Sequence, residues 1–338
     1  MNRPLLLRGA RQLLTLRGSE GPRRGAACLD AGIIVDGSML IRDGRIVSVG
    51  HSRRVENLAE ARQAEVVEAH GAVVMPAFVD ADVTLPESAA AVRRLLQLAF
   101  SHGTGAMGAR VPYSLLRALP APNPKGSQVV PVLDLAADFD TAQVTRAVRR
   151  NIAPFLRIDL LAHSRDVLRF VHALGLTIRA YTATPEQRDW IGLALAYGAN
   201  VLELPAEPLN MAQRKLVGGS PAIAVLGPAA SGMARALLDG GAAVALGSGF
   251  REGGGGTCSM QMAALTAVRE GGLEMAEAIT LATINAAHAL GIGDRTGSLE
   301  AGKTADFLVL HLPDFRELSS FSGVNIVAKV FKAGNLVV

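Results

Sequence analysis

The stretch MPAFVDADVTLP, residues 75–86, decides how the rest of this chain is read. An apolar run, Val73-Val74-Met75, reaches a proline, then continues as Phe78-Val79-Asp80, with Asp82 and Thr84 two residues apart. VVMPAFVDA (73–81) reads as the first of eight short apolar segments. The others are GTGAMGAR (103–110), VVPVLDLA (129–136), FLRIDLL (155–161), LTIRAYT (176–182), NVLELPA (200–206), AIAVLG (222–227) and AAVALGSG (242–249). Amphipathic stretches such as AAAVRRLLQLAFSHG (89–103) and SRDVLRFVHALG (164–175) separate them. Strands alternating with helices imply parallel βαβ units with right-handed crossovers. Eight repeats imply an α/β fold of the (β/α)8 TIM-barrel type, at residues 74–299. The repeats are short for such a barrel, so the loops at its catalytic face are trimmed.

Both chain ends read as β structure. GSMLIRDGRIVSVG (37–50) has two alternating arms around Asp43-Gly44, a strong hairpin signal. ADFLVL (305–310) and NIVAKVFKAGNLVV (325–338) repeat the theme, with a turn expected at Gly334-Asn335. A lone hairpin is marginal in water. Residues 1–73 and 300–338 are therefore expected to pair into one small β-sandwich domain, with the chain entering and leaving the barrel on the same side.

Composition narrows the function classes. The 338 residues are 49% hydrophobic and 19% charged, which describes a well-buried globular chain. No window approaches 18 uninterrupted apolar residues, so no membrane span is expected. The first 24 residues hold six arginines and one acid, Glu20, but no continuous apolar region of a targeting peptide. Two distant cysteines, Cys28 and Cys258, read as reduced thiols of a cytoplasmic protein. The net charge is only +4 and no basic run is interleaved with aromatics, so nucleic acid is not an expected partner.

Three segments carry a resemblance to the amidohydrolase superfamily and, within it, to the imidazolonepropionase family. GPRRGAACLDAGIIVDGSMLIRDGRIVSVG (21–50) resembles that family's N-terminal β domain. VVMPAFVDADVTL (73–85) resembles its first barrel strand. The segment from LATINAAHALG to the C-terminus (281–338) resembles its return to the β domain. The resemblance implies a metal-dependent hydrolase of cyclic amides on a barrel with a composite β domain. It implies a divalent metal held by His-x-His on strand one, by His on strands five and six and by Asp at the end of strand eight. In this sequence those positions are Asp82, Thr84, Arg179, Val201 and Gly249. Of the seven histidines (His51, His70, His102, His163, His172, His288, His311), none lies inside a predicted barrel strand. No metal ligand set and no other cofactor is therefore expected.

Several readings of the site remain open. Asp82 and Arg179 stand at positions that the family places at the barrel centre, and a buried carboxylate needs a cation. A bidentate Asp82–Arg179 bridge would fill the place of the metal. The glycine-rich loop GSGFREGGGGTCSM (247–260) after strand eight suits either a phosphate or an unconstrained turn, and Cys258 has no base visibly placed to activate it. TPEQRDW (184–190) reads as a helix start with Thr184 as N-cap, and Trp190 as a residue packed on the barrel. The leading expectation is a non-catalytic or strongly diverged member with no catalytic residues. The alternatives are a metal-independent or partner-completed amidohydrolase, and a small-anion binding protein using Arg179 and Arg251, with Asp82 as a further ligand contact. The partner, a small molecule or a protein, is not identified by the sequence, and a homodimer is left open.

Overall fold

The computed structural model describes residues 3–18, 20–113, 126–135, 140–149, 154–159, 161–162, 165–175, 177–184 and 189–338. Among them are sixteen strands in two sheets. The terminal sheet holds β1 (Leu5–Leu14), β2 (Ile33–Arg42), β3 (Arg45–His51), β4 (Glu65–Glu68), β5 (Val73–Pro76), β14 (Phe307–Leu310), β15 (Val327–Lys332) and β16 (Asn335–Leu336). The barrel holds β6 (Phe78–Thr84), β7 (Thr104–Val111), β8 (Gln128–Asp134), β9 (Phe155–Asp159), β10 (Thr177–Tyr181), β11 (Ala199–Glu203), β12 (Ile223–Leu226) and β13 (Ala243–Leu246).

The terminal sheet runs β16-β15-β14-β5-β1-β2-β3. β4 and β5 run parallel to successive halves of β1, at Leu5–Arg8 and at Gln12–Leu13. The Asp43-Gly44 turn closes β2 on β3 with φ of 50° and 77°, the doubly positive φ of a tight hairpin. At the other end the turn is Ala333-Gly334 (φ 46° and 73°), one residue earlier than Gly334-Asn335. Asn335 already pairs with Lys332, and its side chain donates to the carbonyls of Lys332 and Ala333. β14, from the C-terminal segment, lies between β5 and β15, so the two chain ends share one sheet. Phe307 and Phe331 stack across β14 and β15 with ring centroids 4.3 Å apart.

The first apolar segment is two strands rather than one. Val73–Pro76 pairs in the terminal sheet, and Phe78–Thr84 opens the barrel. Pro76 has no N–H to extend a ladder, and the next N–H, that of Ala77, donates to Asp306 O at 3.0 Å. The terminal sheet thus extends past the boundary expected at residue 73, as far as Pro76.

The eight barrel strands are parallel and neighbour one another in sequence order from β6 to β13. β13 closes on β6 through the backbone. Gly249 N–H donates to Asp82 O (3.0 Å) and Thr84 N–H to Phe250 O (2.8 Å). A Cβ on Gly247 would come within 2.6 Å of the Asp82 Cβ, so only glycine lets the seam close this tightly. One buried cluster collects Val79, Ala81, Ala106, Val132, Val201 and Val225 from the barrel strands, and the segment 286–292 packs against the same cluster. The strand faces turned outward pack on the helices in a larger cluster that includes Trp190, which is fully buried. The helix that carries it is Trp190–Ala196, preceded by Asp189; the expected N-terminal turn at 185–188 lies outside the described residues.

A buried ion pair ties the terminal sheet to the barrel. Lys332 Nζ donates to Asp306 Oδ2 (2.7 Å) and to Gly105 O (3.0 Å) on β7, while Thr296 and the Ala333 N–H also donate to Asp306. Near the seam, Asn285 bonds Arg23 N–H, Arg23 O and Val244 O, which fastens the N-terminal loop to β13. Among the described residues no helix is long and apolar enough to cross a membrane.

Deleting residues 309–338 removes half of β14 and all of β15 and β16, and uncovers the apolar face of β5 and β1. The truncated chain is expected to be insoluble, because an uncovered apolar face of this kind drives association. A soluble truncation that melts cooperatively would show that the two ends do not share a core.

Candidate functional site

Strand alternation builds the site. Side chains two residues apart share a face, and the inward face of several strands turns from apolar to charged near its C-terminal end. Ala106, Gly108 and Arg110 follow one another on β7, Phe155 and Arg157 on β9, and Val201 and Glu203 on β11. Arg179 on β10 is in register with Arg157 on one side and Val201 on the other. On β6 the register slips between Asp80 and Val83, where Asp82 sits. These charges meet at the C-terminal face, where barrels of this class place their chemistry.

Glu203 is the hub. Its Oε2 accepts from Arg157 Nε at 2.7 Å and lies 3.1 Å from Arg110 Nη2, and its Oε1 accepts from Arg179 Nε at 3.0 Å. Arg110 Nη2 also donates to Asp82 Oδ2 in a short, direct contact. Arg157 Nη1 reaches both oxygens of Asp134 at 3.0 and 3.1 Å, and its guanidinium lies 3.3 Å from the centroid of the Tyr181 ring. Arg179 is fully buried and donates from Nη2 to Ala81 O at 2.9 Å. Burial by itself would raise the Glu203 carboxyl, yet the charges of Arg157, then Arg110, then Arg179 bring it down to about 2. For Arg157, burial works against the charge, but Glu203 and Asp134 outweigh it and push its pKa up.

The expected Asp82–Arg179 bridge does not form. Both residues stand at the barrel centre, but Arg179 pairs with Glu203 and Asp82 pairs with Arg110. Glu203 and Arg110 give each of them a nearer partner. Val201 lies one layer deeper in the apolar interior. Gly249 and Thr84 serve the seam through their backbones. Arg251 is on an exposed turn, where its N–H donates to Gly255 O (3.4 Å), whereas Arg179 is buried. Cys258 is half-buried and free, while Cys28 is buried and free, its thiol pushed up to about 11 by that burial. Arg110, Arg157 and Glu203 are the residues that sequence reasoning missed. Each carried a signal: a charge in phase with apolar neighbours in a strand otherwise buried.

Asp80, at the seam, is a different kind of carboxylate. Its Oδ1 accepts from the N–H groups of Ser248 (2.8 Å) and Asp82 (3.1 Å), and burial raises it to about 7 against those hydrogen bonds.

Fit to a divalent cation is poor. Among the described residues no three His, Cys, Asp or Glu side chains gather as a metal-binding group. None of the six described histidines lies on a barrel strand, and His163 lies outside the described residues. Asp82 Oδ1 is a buried carboxylate oxygen without a partner, but Arg179 Nη1 and Arg110 Nε are likewise buried without acceptors. Guanidinium groups offer N–H and repel a cation, whereas zinc wants convergent N, S or O lone pairs.

Comparison with known proteins now places the chain. A model of the amidohydrolase family matches residues 160–337. The chain belongs to this family. Within it, the chain is similar to imidazolonepropionases. It is 31% identical to that of Solibacter usitatus (strain Ellin6076) over 411 aligned positions, covering 98% of each chain. It is 50% identical to that of Deinococcus radiodurans over 107 residues, 32% of this chain and 26% of that one. An alignment of 411 positions exceeds the 338 residues here, so it opens gaps in this chain, in keeping with its short loops. The fold is similar to that of E. coli guanine deaminase, with a TM-score of 0.74 at 16% identity over 100% of this chain and 99% of that one.

Two outcomes follow for stability. Removing the Glu203 charge leaves the buried guanidiniums of Arg157 and Arg179 and the partly buried one of Arg110 short of an anion, which typically costs about 3–5 kcal/mol. Glu203→Gln and Arg179→Met should each lower the denaturation midpoint strongly. The Arg179–Glu203 cycle should show coupling of roughly 1 kcal/mol or more, against near-additivity for Asp82 with Arg179. Additive effects of Arg179 and Glu203 would refute the hub.

The second outcome concerns pH. A raised carboxyl pKa means that the folded state binds its proton more tightly. The contribution of Asp80 is therefore full below its ordinary 3.8, falls as pH rises toward about 7, and is flat above. Glu203 acts oppositely. Its contribution is full above its ordinary 4.5 and is lost as pH falls toward about 2. A carboxamide in place of the Asp80 carboxylate keeps an oxygen for both N–H groups and carries no charge to bury. Asp80→Asn should therefore gain stability at pH 8, on the order of a few kcal/mol, and the gain should shrink toward pH 5. Equal stability of the two proteins at pH 8, measured by urea melts, would contradict this assignment.

Proposed function

We propose that this chain is a non-catalytic or strongly diverged amidohydrolase, in which metal-dependent hydrolysis of a cyclic amide has given way to a retained scaffold. The observation that carries this reading is the guanidinium cluster around Glu203. Arg179 stands at a position that the resemblance assigns to a metal ligand, and its charge is spent on Glu203. Asp82, at another such position, is neutralised by Arg110. Gly249, at the position assigned to the general base, has no side chain to take a proton. A metal-bound water would thus lack both its ligands and its base.

The small-anion reading draws less support. At the centre, Arg110, Arg157 and Arg179 are each matched by a carboxylate, so an added anion meets no free cation there. We place the protein in the cytoplasm, on its two free thiols.

Elemental analysis of the purified protein, paired with a hydrolysis assay on imidazolone propionate, tests the reading. Zinc, iron and manganese should each fall well below one equivalent, with no turnover above background. About one metal per chain after dialysis against a weak chelator would overturn it. Turnover without metal would select the metal-independent hydrolase instead.

A further inference from the structure

A cavity of about 300 Å³ lies apart from the central cluster, between the loops that follow β11 and β12. Pro208 and Leu209 line it from the first loop, and Ala229, Ala230 and Met233 from the second. The Leu209 N–H donates to Met233 Sδ at 3.3 Å, which holds the two loops against each other. Arg214 is the one charged side chain on this wall. It stands on the helix Met211–Gly219, whose start is fixed by a reciprocal cap between Asn210 and Gln213. Arg214 Nε is buried and has no acceptor, and its guanidinium makes no ion pair among the described residues. A buried donor of this kind without a partner is costly, and in a charged group more so.

From this cavity we infer a binding site for a short aliphatic carboxylate, with the carboxylate on Arg214 and the alkyl part against the alanine, leucine and methionine wall. A planar guanidinium matches a carboxylate in bidentate fashion. The volume is at the lower end of ordinary ligand sites, so the body of the ligand is small, about four to six carbons. Apart from Arg214 the side chains on the wall are apolar, so it lacks the several side-chain donors that a bare phosphate needs. The site does not depend on whether the barrel centre retains any hydrolysis.

Calorimetric titration of the full chain with butyrate, 4-methylpentanoate, butyramide and inorganic phosphate tests the assignment. The two carboxylates should bind saturably, and butyramide and phosphate at least about tenfold more weakly, the ratio expected when one charge-assisted pair is lost. Arg214→Met should abolish carboxylate binding while the protein still melts cooperatively, and Arg214→Lys should restore part of it. Ala230→Leu, which fills the cavity and leaves Arg214 in place, should also abolish binding. Failure of the carboxylates to saturate would sink the proposal. So would binding by butyramide or phosphate as tight as by butyrate, or unchanged binding in Arg214→Met or Ala230→Leu.

Discussion

A single buried carboxylate, Glu203, governs the centre of this barrel. It stands where three arginines from three strands converge, and each of those arginines depends on it. An ion placed alone in an apolar interior costs several kcal/mol even after relaxation, and the penalty falls only if its partners are close and well aligned. Glu203 satisfies Arg157 and Arg110 with one oxygen and Arg179 with the other. Asp134 and Asp82 then complete the outer sides of Arg157 and Arg110. The charges are matched within the cluster, which is how so many can be held at one end of a core made of alanine and valine.

The rest of the fold keeps that cluster in place. The seam between β13 and β6 is closed by backbone hydrogen bonds at Asp82, Gly249 and Thr84, so the strand that carries Asp82 is fixed from both sides. At the opposite end, the Lys332–Asp306 pair joins the last long strand of the terminal sheet to β7, the strand that carries Arg110. The terminal sheet is therefore a brace on the barrel, built from both ends of the chain. Its own cohesion comes from apolar strand faces and from the Phe307–Phe331 stack.

The same geometry bears on chemistry. Hydrolysis at a barrel mouth needs an electrophile, an activated water and a base within reach of one another. Here the centre offers arginines that are each paired with a carboxylate. Three of its polar atoms, Asp82 Oδ1, Arg179 Nη1 and Arg110 Nε, are enclosed without a partner rather than open to a substrate. The cavity beside Arg214 differs in kind, since a half-exposed arginine there faces apolar side chains, with no carboxylate among the described residues that line it.

The sequence by itself determined the barrel, the β character of both ends and the family. These are written in local periodicity, in the Asp43-Gly44 turn and in the long C-terminal segment, none of which needs a partner to be recognised. It also placed no histidine inside a predicted barrel strand, and none of the six described histidines lies on one. The sequence did not reveal that VVMPAFVDA breaks at Ala77, because a proline inside an apolar run marks the end of a ladder without saying which sheet comes next. Nor did it pair the charges. Asp82 and Arg179 read as partners because they stand at related positions, but nearest-neighbour distance decides an ion pair, and Glu203 and Arg110 are nearer. Arg110 lies 28 residues along the chain from Asp82, and Arg157 lies 46 residues from Glu203. No local pattern links residues so far apart. Only the closing of the barrel brings them to one point.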